Sequence, residues 1–571
     1  MSLAATGNNS IDALLYSSWR PAVGQAVSLT YSFLTRVPAD ASGDDANGFK
    51  PMDATQQQAV RAALASWAAV ANITFTEVSG GGDIQLGTNN QGSASSGYAY
   101  LPDEQGNSVQ LYLNNDPSNK LTFASGDFGA SVLIHELGHT LGLKHPGDYD
   151  STGGSINGPF LPAATDNIDF SQMSYNKGAG FTLNGNYGIT PALYDIQAMQ
   201  YLYGANMSYH AGADTYSFSR DEALQCIWDA GGTDTFDFSA SIAATIINLN
   251  EGAFSETAPG YHNISIGYHV TIERAIAGSG GSTIYANAFG NVIIGGAGVD
   301  TIYEWSGNDS ITGGVEDTVV FGKALSEFLI TGTPTALTVS GDGVDTLNGI
   351  GLLQFAGKTL NMSAYRSVQA GTAGGDVIAA QSGDELITAG SGVDLVKYSG
   401  ARSDYQVGAS GPGLVVSDRL GNGGSDMLAG VERIEFADHT GLALDTDGVA
   451  GQLFRLYLAM FNRAPDDGGF GYWLSAMDHG ERLAGVAGNF IHSQEFIDLY
   501  GANPSDAQYV SALYQNLLHR APDPGGYAYW VDVLGHGADR AQALADISNS
   551  PENIAAVSPI IPVGVAYTIW G

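Results

Sequence analysis

The sequence predicts a multidomain fold in which an α/β domain precedes a parallel β-roll, further β-rich modules and an α-helical repeat domain. A chain of 571 residues is long enough for about four domains of roughly 150 residues each. Its texture changes near residue 225, where short apolar runs alternate with Gly, Asp and Asn. Internal repeats occupy much of the chain beyond that point. We therefore expect domains at 1–205, 206–320, 321–448 and 449–571.

Composition limits the classes of partner. The chain has 58 acidic and 21 basic side chains, a net charge of −37. Nucleic acids and anionic membranes attract Lys and Arg, so this balance argues against both and suits a chain that binds cations. The single Cys226 excludes an intramolecular disulfide framework and a thiolate-rich metal cluster. No apolar run reaches the ~18 residues of a membrane helix, and we expect no membrane span.

Hydrophobic periodicity predicts the elements of the α/β domain. Residues 28–34, 72–78 and 108–115 alternate apolar and polar side chains, as half-buried strands do. Residues 53–67 have the pattern of an amphipathic helix with Asp53 or Thr55 at its start. Apolar residues at helical spacing predict a second helix over 127–143, ending at Gly142.

The second helix carries the stretch HELGHTLGLKH, residues 135–145. On a helix His135 and His139 share one face, where two imidazoles can hold one Zn²⁺ at about 2.0–2.1 Å. Gly142 allows a turn that returns His145 as a third ligand. Three protein ligands leave an open coordination position, which is typical of a catalytic zinc. Glu136 is placed to accept a proton from zinc-bound water.

Coincidence on a buried helix is the alternative interpretation of these histidines. The short pattern His-Glu-x-x-His arises by chance in roughly one or two chains per hundred of this size. Requiring Gly142 and His145 as well lowers that frequency to roughly a few in a hundred thousand. The sequence therefore favours a zinc site.

Several motifs together resemble the metzincin metalloproteases, and within them the serralysins, bacterial zinc endopeptidases that carry RTX repeats. These motifs are HELGHTLGLKHPGDY (135–149), SQMSY (171–175), SGYAYLP (96–102), TPALYDIQAMQYLYGAN (190–206) and IWDAGGTDTFDFS (227–239). The resemblance covers roughly residues 8–320. It implies a metzincin protease domain and an endopeptidase activity on protein or peptide substrates, with one catalytic Zn²⁺.

The same resemblance implies roles for individual residues. Met173 would form the floor beneath the three imidazoles without binding metal. Tyr175 would bind zinc at rest and then swing away to hydrogen-bond the oxyanion of the transition state. Glu136 would act as general base on the zinc-bound water and hand the proton to the leaving amine. Residues 110–115, QLYLNN, resemble the family's edge strand, which implies that Leu111, Tyr112, Leu113 and Asn114 bind the extended substrate.

Nonapeptide repeats follow the protease-like region. Written in nines, residues 277–312 place Ile at every eighth position: Ile284, Ile293, Ile302 and Ile311. The sixth positions are Ser282, Asn291, Asp300 and Asp309. In such repeats glycine carbonyls and the Asp carboxylate bind Ca²⁺ while the eighth residue fills a thin core, so folding is coupled to calcium. A flexible linker is the alternative, and the in-register isoleucines argue against it.

Calcium ligands are expected at several positions. Asp300 and Asp309 are the acidic members of the first block, and a second block at 371–397 has Asp376, Glu385 and Asp394 at its sixth positions. Because Ser and Asn replace two acids in the first block, fewer or weaker calcium sites than in a standard serralysin roll are expected. The resemblance further implies calcium ligands at Asp229, Gly231, Asp234, Thr271 and Glu273.

RTX repeats imply export by a type I (ABC-transporter) secretion apparatus. The N-terminus has neither the basic nor the apolar region of a secretory signal, which agrees with that route. The expected location is therefore extracellular. The uncharged C-terminal tail, IIPVGVAYTIWG, is a candidate export signal, and we expect it to be loosely held.

Two further repeat types occupy the C-terminal half. Residues 317–360 resemble residues 394–440, which predicts two small β modules. Residues 456–473 match 513–530 with an offset of 57, and their helical periodicity predicts a pair of α modules. These modules resemble a domain of unknown function found in bacterial RTX exoproteins. Whether they are an accessory fold or hold the protein to a cell surface, S-layer or polymer stays open.

The sequence thus predicts a secreted, monomeric, zinc-dependent and calcium-stabilised endopeptidase of serralysin type. The rival hypothesis is a non-catalytic, calcium-dependent surface or adhesion RTX protein, in which the protease-like domain is a relic.

Overall fold

The computed structural model describes residues 3–20, 22–39, 41–103, 106–149, 158–181, 185–410, 413–421, 423–518 and 520–570. They form two compact units, Met1–Val320 and Phe321–Gly571. Among the helices of these described residues, none has the length and apolar character that crossing a membrane requires.

The first unit begins with an α/β region. Its elements in chain order are α1 (Asn9–Asp12), β1 (Val27–Phe33), α2 (Gly43–Ala46), α3 (Ala54–Val70), β2 (Ile73–Glu77), β3 (Ile84–Asn89), β4 (Gly97–Ala99), β5 (Val109–Asn114), α4 (Phe128–Thr140) and α5 (Leu193–Tyr203). The strands form one sheet in the order β2-β1-β3-β5-β4. β4 is antiparallel to β5, and the other neighbours are parallel.

Local signals account for the predicted elements of this region. Asp53 caps α3 through a capping box with Gln56, because its side chain accepts from the Gln56 N–H while the Gln56 side chain accepts from the Asp53 N–H. The buried stripe of α3, which includes Leu64 and Trp67, faces the core. The predicted second helix is confirmed as α4, which ends just before Gly142.

The prediction that residues 110–115 form an edge strand is wrong. β5 lies between β3 and β4, and Leu111, Tyr112, Leu113 and Asn114 are buried at 0–3% exposure. The edge is β4, whose Gly97 and Ala99 pair with β5. A strand of three residues is too short for alternation to reveal it, so the sequence did not show that β5 is covered.

The rest of the first unit is built from short strands. They are β6 (Thr215–Ser217), β7 (Gln225–Ile227), β8 (Thr235–Asp237), β9 (Thr245–Asn248), β10 (Phe254–Glu256), β11 (His262–Ile266), β12 (Arg274–Ile276), β13 (Ser282–Tyr285), β14 (Val292–Ile294), β15 (Thr301–Tyr303), β16 (Ser310–Thr312) and β17 (Thr318–Val320). Two parallel ladders run through them, β6-β8-β12-β14-β16 and β9-β13-β15-β17.

The nonapeptide register explains these ladders. Consecutive repeats alternate between the two ladders, so Ile284 pairs with Ile302 on one and Ile293 with Ile311 on the other. All four isoleucines are fully buried. Each coil therefore uses two nonapeptides, and the eighth residues form its core.

The second unit combines short sheets with helices. Its strands are β18 (Leu329–Thr333), β19 (Ala336–Ser340), β20 (Val344–Asn348), β21 (Leu352–Phe355), β22 (Lys358–Asn361), β23 (Ser367–Ala370), β24 (Val377–Ala379), β25 (Glu385–Thr388), β26 (Leu395–Lys397), β27 (Tyr405–Ser410), β28 (Gly413–Asp418), β29 (Ser425–Ala429), β30 (Arg433–Glu435), β31 (Thr440–Ala443) and β32 (Val565–Thr568). Two of its sheets have the orders β23-β25-β29-β28-β27 and β24-β26-β30-β31-β32.

Eight helices lie between β31 and β32 in the described chain: α6 (Val449–Phe461), α7 (Asp467–Asp478), α8 (Leu483–Ile491), α9 (Gln494–Tyr500), α10 (Asp506–Leu518), α11 (Pro524–Gly535), α12 (Arg540–Ser548) and α13 (Pro551–Val557). The repeat of offset 57 is visible in its polar contacts. Arg463 pairs with Glu495 at 2.8 Å, and Arg520 pairs with Glu552 at 3.0 Å. Both copies thus fold with the same local architecture.

The expectation that the C-terminal tail is loosely held is wrong. β32 pairs antiparallel with β31, where Val565 opposes Ala443 and Tyr567 opposes Gly441. Val565 and Tyr567 are each only 6% exposed. The tail alternates buried and exposed residues, and its sheet partner lies more than a hundred residues earlier, a pairing that local sequence does not reveal.

Candidate functional site

Helix α4 carries the first two predicted zinc ligands and packs against α3. The Trp67 Nε1–H donates to the Ile134 carbonyl at 3.1 Å. At Gly138 an added Cβ would lie 2.5 Å from the Met173 sulfur, so only glycine fits at this crossing. Met173 is fully buried. The structure therefore places Met173 directly against the helix that bears the histidines.

The three predicted histidines converge. His135 Nε2 lies 3.1 Å from His145 Nε2, and His139 Nε2 lies 3.0 Å from the same atom. On the opposite side of the rings, Nδ1 of His135 and of His139 each lie 2.8 Å from a backbone carbonyl, of Gln172 and Leu143 respectively. Those carbonyls fix the Nδ1–H tautomer, so the lone pairs of Nε2 face one another.

This donor set fits a zinc ion. Three imidazole nitrogens that approach so closely repel unless a cation lies between them, and tetrahedral Zn²⁺ is bound by such nitrogens at about 2.0–2.1 Å. Burial lowers the pKa of His135 to about 4, of His139 to about 3 and of His145 to about 2. All three are therefore neutral near pH 7, the form that binds a metal.

The end of α4 is held so that the chain can turn back to His145. Gly142 has φ +108°, and an added Cβ there would lie 2.1 Å from the Ser17 carbonyl. The Trp19 Nε1–H donates to the Thr140 carbonyl and the Tyr203 O–H to the Leu141 carbonyl, both at 2.8 Å. These donors satisfy carbonyls that a helix C-terminus leaves free.

Glu136 lies beside the cluster and is 7% exposed. Burial raises the pKa of its carboxyl to about 8, and a cation in the neighbouring site would favour the carboxylate. An added Cβ at Gly97 of β4 would lie 3.2 Å from Glu136 Cγ. The exposed edge of the sheet therefore passes next to this carboxyl group.

Tyr175 also lies at the cluster. Its ring centroid is 4.5 Å from that of His145 and 5.8 Å from that of His135. Its side of the site is open, because Tyr175 is 56% exposed. The structure thus brings together five of the predicted residues, His135, Glu136, His139, His145 and Tyr175, with Met173 packed beneath α4.

Asp195 is a residue of this site that the sequence analysis missed. It is fully buried, its Oδ1 accepts from Ser171 Oγ at 2.6 Å, and its Oδ2 accepts from the Gln172 N–H at 2.7 Å. Asp195 thereby anchors the turn that contains Met173 and the Gln172 carbonyl. The available signal was its place at the third position of α5, where an acid closes a capping box.

Four of the predicted calcium ligands lie together at the start of the short-strand region. Asp229 Oδ1 accepts from the Gly231 N–H at 2.8 Å, and Glu273 Oε2 accepts from the Asp234 N–H at 2.7 Å. Asp234 is fully buried, and none of the described residues donates a hydrogen bond to its Oδ2. Burial and the neighbouring carboxylates raise its pKa to about 6. Thr271 lies in the segment before β12.

The two acids predicted in the first nonapeptide block lie on different ladders. Asp300 stacks on Asp317, which the sequence analysis missed, and accepts backbone N–H groups from Ser282 and Gly296. An added Cβ at Gly295 would lie about 3 Å from an oxygen of both carboxylates, at 2.9 and 3.0 Å. Asp309 accepts from the Asn291 N–H on the other ladder. Asp317 was missed because one residue is deleted before it.

Comparisons with known proteins agree with this geometry. Residues 46–153 match the family described as Matrixin, residues 192–428 match Peptidase M10 serralysin C terminal, and residues 487–557 match a domain of unknown function, DUF4214.

Curated relatives match somewhat less than half of the chain. Metalloprotease AprA of Pseudomonas entomophila is 36% identical over 293 residues, 47% of this chain and 60% of that protein. Serralysin C of Dickeya chrysanthemi is 38% identical over 280 residues, 45% of this chain and 58% of that protein. Serralysin of Proteus mirabilis is 34% identical over 315 residues, 48% and 63%. The chain thus spans about three fifths of the length of the relatives that it matches.

Proposed function

We propose that this chain, whose residues 46–153 match Matrixin and 192–428 match Peptidase M10 serralysin C terminal, is a zinc-dependent endopeptidase of serralysin type. The observation that carries the proposal is the convergence of three imidazole Nε2 atoms at 3.0–3.1 Å beside a buried carboxyl group. That arrangement holds one metal ion and keeps a coordination position open for reactants.

Different residues of the chain have different roles in peptide hydrolysis. Bound Zn²⁺ would supply a Lewis acid that polarises a carbonyl oxygen and lowers the pKa of water to about 7. Glu136 accepts the proton of the attacking water and delivers it to the nitrogen of the leaving amine. Tyr175 donates a hydrogen bond to the oxyanion from the open side of the site. His135 and His139 are kept in one tautomer by their carbonyl partners.

The substrate backbone is proposed to pair with β4. This strand is the sheet edge, and its Gly97 lies close to Glu136. An extended peptide added there gains main-chain hydrogen bonds and passes the carboxyl group. Leu111, Tyr112, Leu113 and Asn114 would then act indirectly, as part of the neighbouring strand that holds β4 in place. Pairing through the backbone tolerates many side chains, so broad specificity is expected.

Calcium is proposed to stabilise the short-strand region. The Asp229–Asp234–Glu273 cluster and the Asp300–Asp317 stack support this proposal, because each gathers carboxylates that are 0–2% exposed, apart from the partly exposed Glu273. Buried carboxylates that approach one another are stabilised by a cation, and oxygen ligands of this kind suit Ca²⁺. Asp309 and Thr271 are further candidate ligands. Extracellular action after type I export is proposed from the family resemblance.

The test is casein cleavage by the purified full chain and by Glu136→Gln. We expect the variant to keep its zinc and to lose about 10²–10⁴-fold in kcat, because the proton acceptor is gone. Glu481→Gln, which changes an exposed glutamate far along the chain, is the matched control and should cleave at the native rate. Cleavage by Glu136→Gln at the native rate would refute the general-base role.

A further inference from the structure

We propose that Tyr149 is a positioning residue that holds the phenol ring of Tyr175 against the histidine cluster. The two rings are stacked, with centroids 4.8 Å apart and planes inclined by 13°. The inference rests on the proposed function and deepens it, because Tyr175 is the side chain proposed to contact the reacting groups. Tyr149 itself contacts Tyr175 and the ring of His145, at 5.8 Å between centroids.

Tyr149 is fixed by polar contacts at its far end. Its hydroxyl donates to Asp166 and lies 2.9 Å from Ser174 Oγ. Asp166 is 9% exposed and is held in turn by Asn176, whose Nδ2 donates to its backbone carbonyl at 2.9 Å and to its Oδ2 at 3.1 Å. The Tyr149 ring therefore cannot move without breaking a network of partly buried hydrogen bonds.

The backbone before Tyr149 is shaped around this contact. An added Cβ at Gly147 would lie 2.4 Å from the Tyr149 ring and 2.5 Å from Asp166 Oδ2. Neither atom can yield, since each belongs to the hydrogen-bonded pair. The turn that follows His145 thus leaves no room for a side chain at 147, because the Tyr149 ring and Asp166 fill that space.

Tyr175 has the opposite character. It is 56% exposed, and its ring packs against the fixed Tyr149 ring and against the imidazoles of His135 and His145. A stacked aromatic contact changes a population of two side-chain positions by about two- to tenfold. By stacking on its ring, Tyr149 therefore favours the position of Tyr175 closest to the metal site.

The experiment uses the full chain with Cu²⁺ in place of zinc. Phenolate oxygen bound to Cu²⁺ gives a charge-transfer absorption band, so the band intensity reports how often Tyr175 reaches the metal. Tyr175→Phe should abolish the band. Tyr149→Leu, which removes the stack but keeps an apolar side chain, should lower it by about two- to tenfold. Tyr149→Phe, which keeps the ring and loses the Asp166 anchor, should give an intermediate value.

The control is Tyr201→Leu on α5, a tyrosine outside the site, which should leave the band unchanged. Zinc content of Tyr149→Leu should match that of the native chain, and thermal unfolding should show that the variant is folded at the assay temperature, while its kcat on a peptide falls and its KM is kept. An unchanged or stronger band in Tyr149→Leu, or a native chain without any Tyr175-dependent band, would overturn the proposal. Failure of the proposed function would instead appear as a folded chain that binds metal and cleaves no peptide.

Discussion

Two buried polar centres of this molecule each bring like groups close together, and each offsets the repulsion between those groups in a different way. In the first unit, the Nδ1–H donors of His135 and His139 point outward to carbonyls, and the Nε2 atoms of all three histidines, His145 included, point inward. In the second unit, Glu385 and Asp426 stack on adjacent strands, and protein donors are directed onto their oxygens. Like groups are gathered in both centres, but only the first leaves its interior without donors.

The second centre is satisfied from within. Glu385 is fully buried and accepts from Ser367 Oγ at 2.8 Å and from the Gln381 N–H at 2.7 Å. Asp426 is 2% exposed and accepts from the Tyr398 hydroxyl at 2.9 Å and from the Glu385 N–H at 3.1 Å. Hydrogen-bond donors of the protein satisfy these carboxyl oxygens in place of a cation. The comparison teaches that the direction of the donors, rather than the number of acids or histidines, decides which centre needs a metal.

The largest effect is expected at the histidine centre. His139→Ala removes one of three lone pairs, so the variant should bind no zinc and show no casein cleavage. Metal content and a cleavage assay check this together. His479→Ala, an exposed histidine that caps α7, is the control and should retain both. A His139→Ala chain that cleaves casein would show that the histidine centre does not need all three ligands for activity.

Substitution of an acid should change the calcium dependence of folding in the first nonapeptide block and not in the second. Asp300→Asn weakens a stack that is proposed to bind Ca²⁺, so the calcium concentration needed for half-maximal folding should rise severalfold, followed by circular dichroism. Glu385→Gln changes an acid that protein donors already satisfy, and it should leave that calcium midpoint in place. Equal shifts in the two variants would show that the blocks do not differ.

A moderate effect is expected when a donor is removed from the second centre. Tyr398→Phe deletes the hydroxyl that donates to Asp426 Oδ2 and leaves that carboxylate oxygen buried. The second unit should lose about 1–3 kcal/mol of stability. Urea unfolding in EGTA and in excess Ca²⁺ should give the same loss. A loss that Ca²⁺ repairs would instead place a cation at this centre.

The last effect concerns the pH dependence of stability. Burial raises the pKa of Asp426 to about 7 from the usual 3.8. A raised carboxyl pKa means that the folded chain holds the proton more tightly, so this contribution is full below pH 3.8 and is lost as the pH rises through 7. Unfolding of the native chain minus that of Asp426→Asn, measured from pH 4 to pH 8 in EGTA, should show this loss. A difference that is flat or grows with pH would contradict it.

The features that the sequence predicted are those encoded by neighbouring residues. The three predicted zinc ligands lie within eleven consecutive positions, the capping box of α3 spans four residues, and the buried isoleucines recur every nine residues. The features that it missed depend on distant partners. Asp195 acts on a turn more than twenty residues earlier, β4 is too short for a pattern, and β32 pairs with a strand before the helical repeats.

Insertions and deletions hid two further acids. Asp317 falls out of the nine-residue count by one place, although it stacks on Asp300. The second acid is Asp426. It lies in residues 421–429, GNGGSDMLA, which continue the second block after an inserted hairpin, and β29 there pairs in parallel with β25. A repeat search that allowed for gaps would have found both.

The most direct test of the account is the zinc content of the purified full chain, followed through removal and return of the metal. The account predicts one zinc per chain, casein cleavage that stops when o-phenanthroline removes it, and cleavage that returns when Zn²⁺ is added back. A folded chain that holds one zinc at His135, His139 and His145 yet cleaves nothing, or a zinc-free chain that cleaves at the same rate, would contradict it.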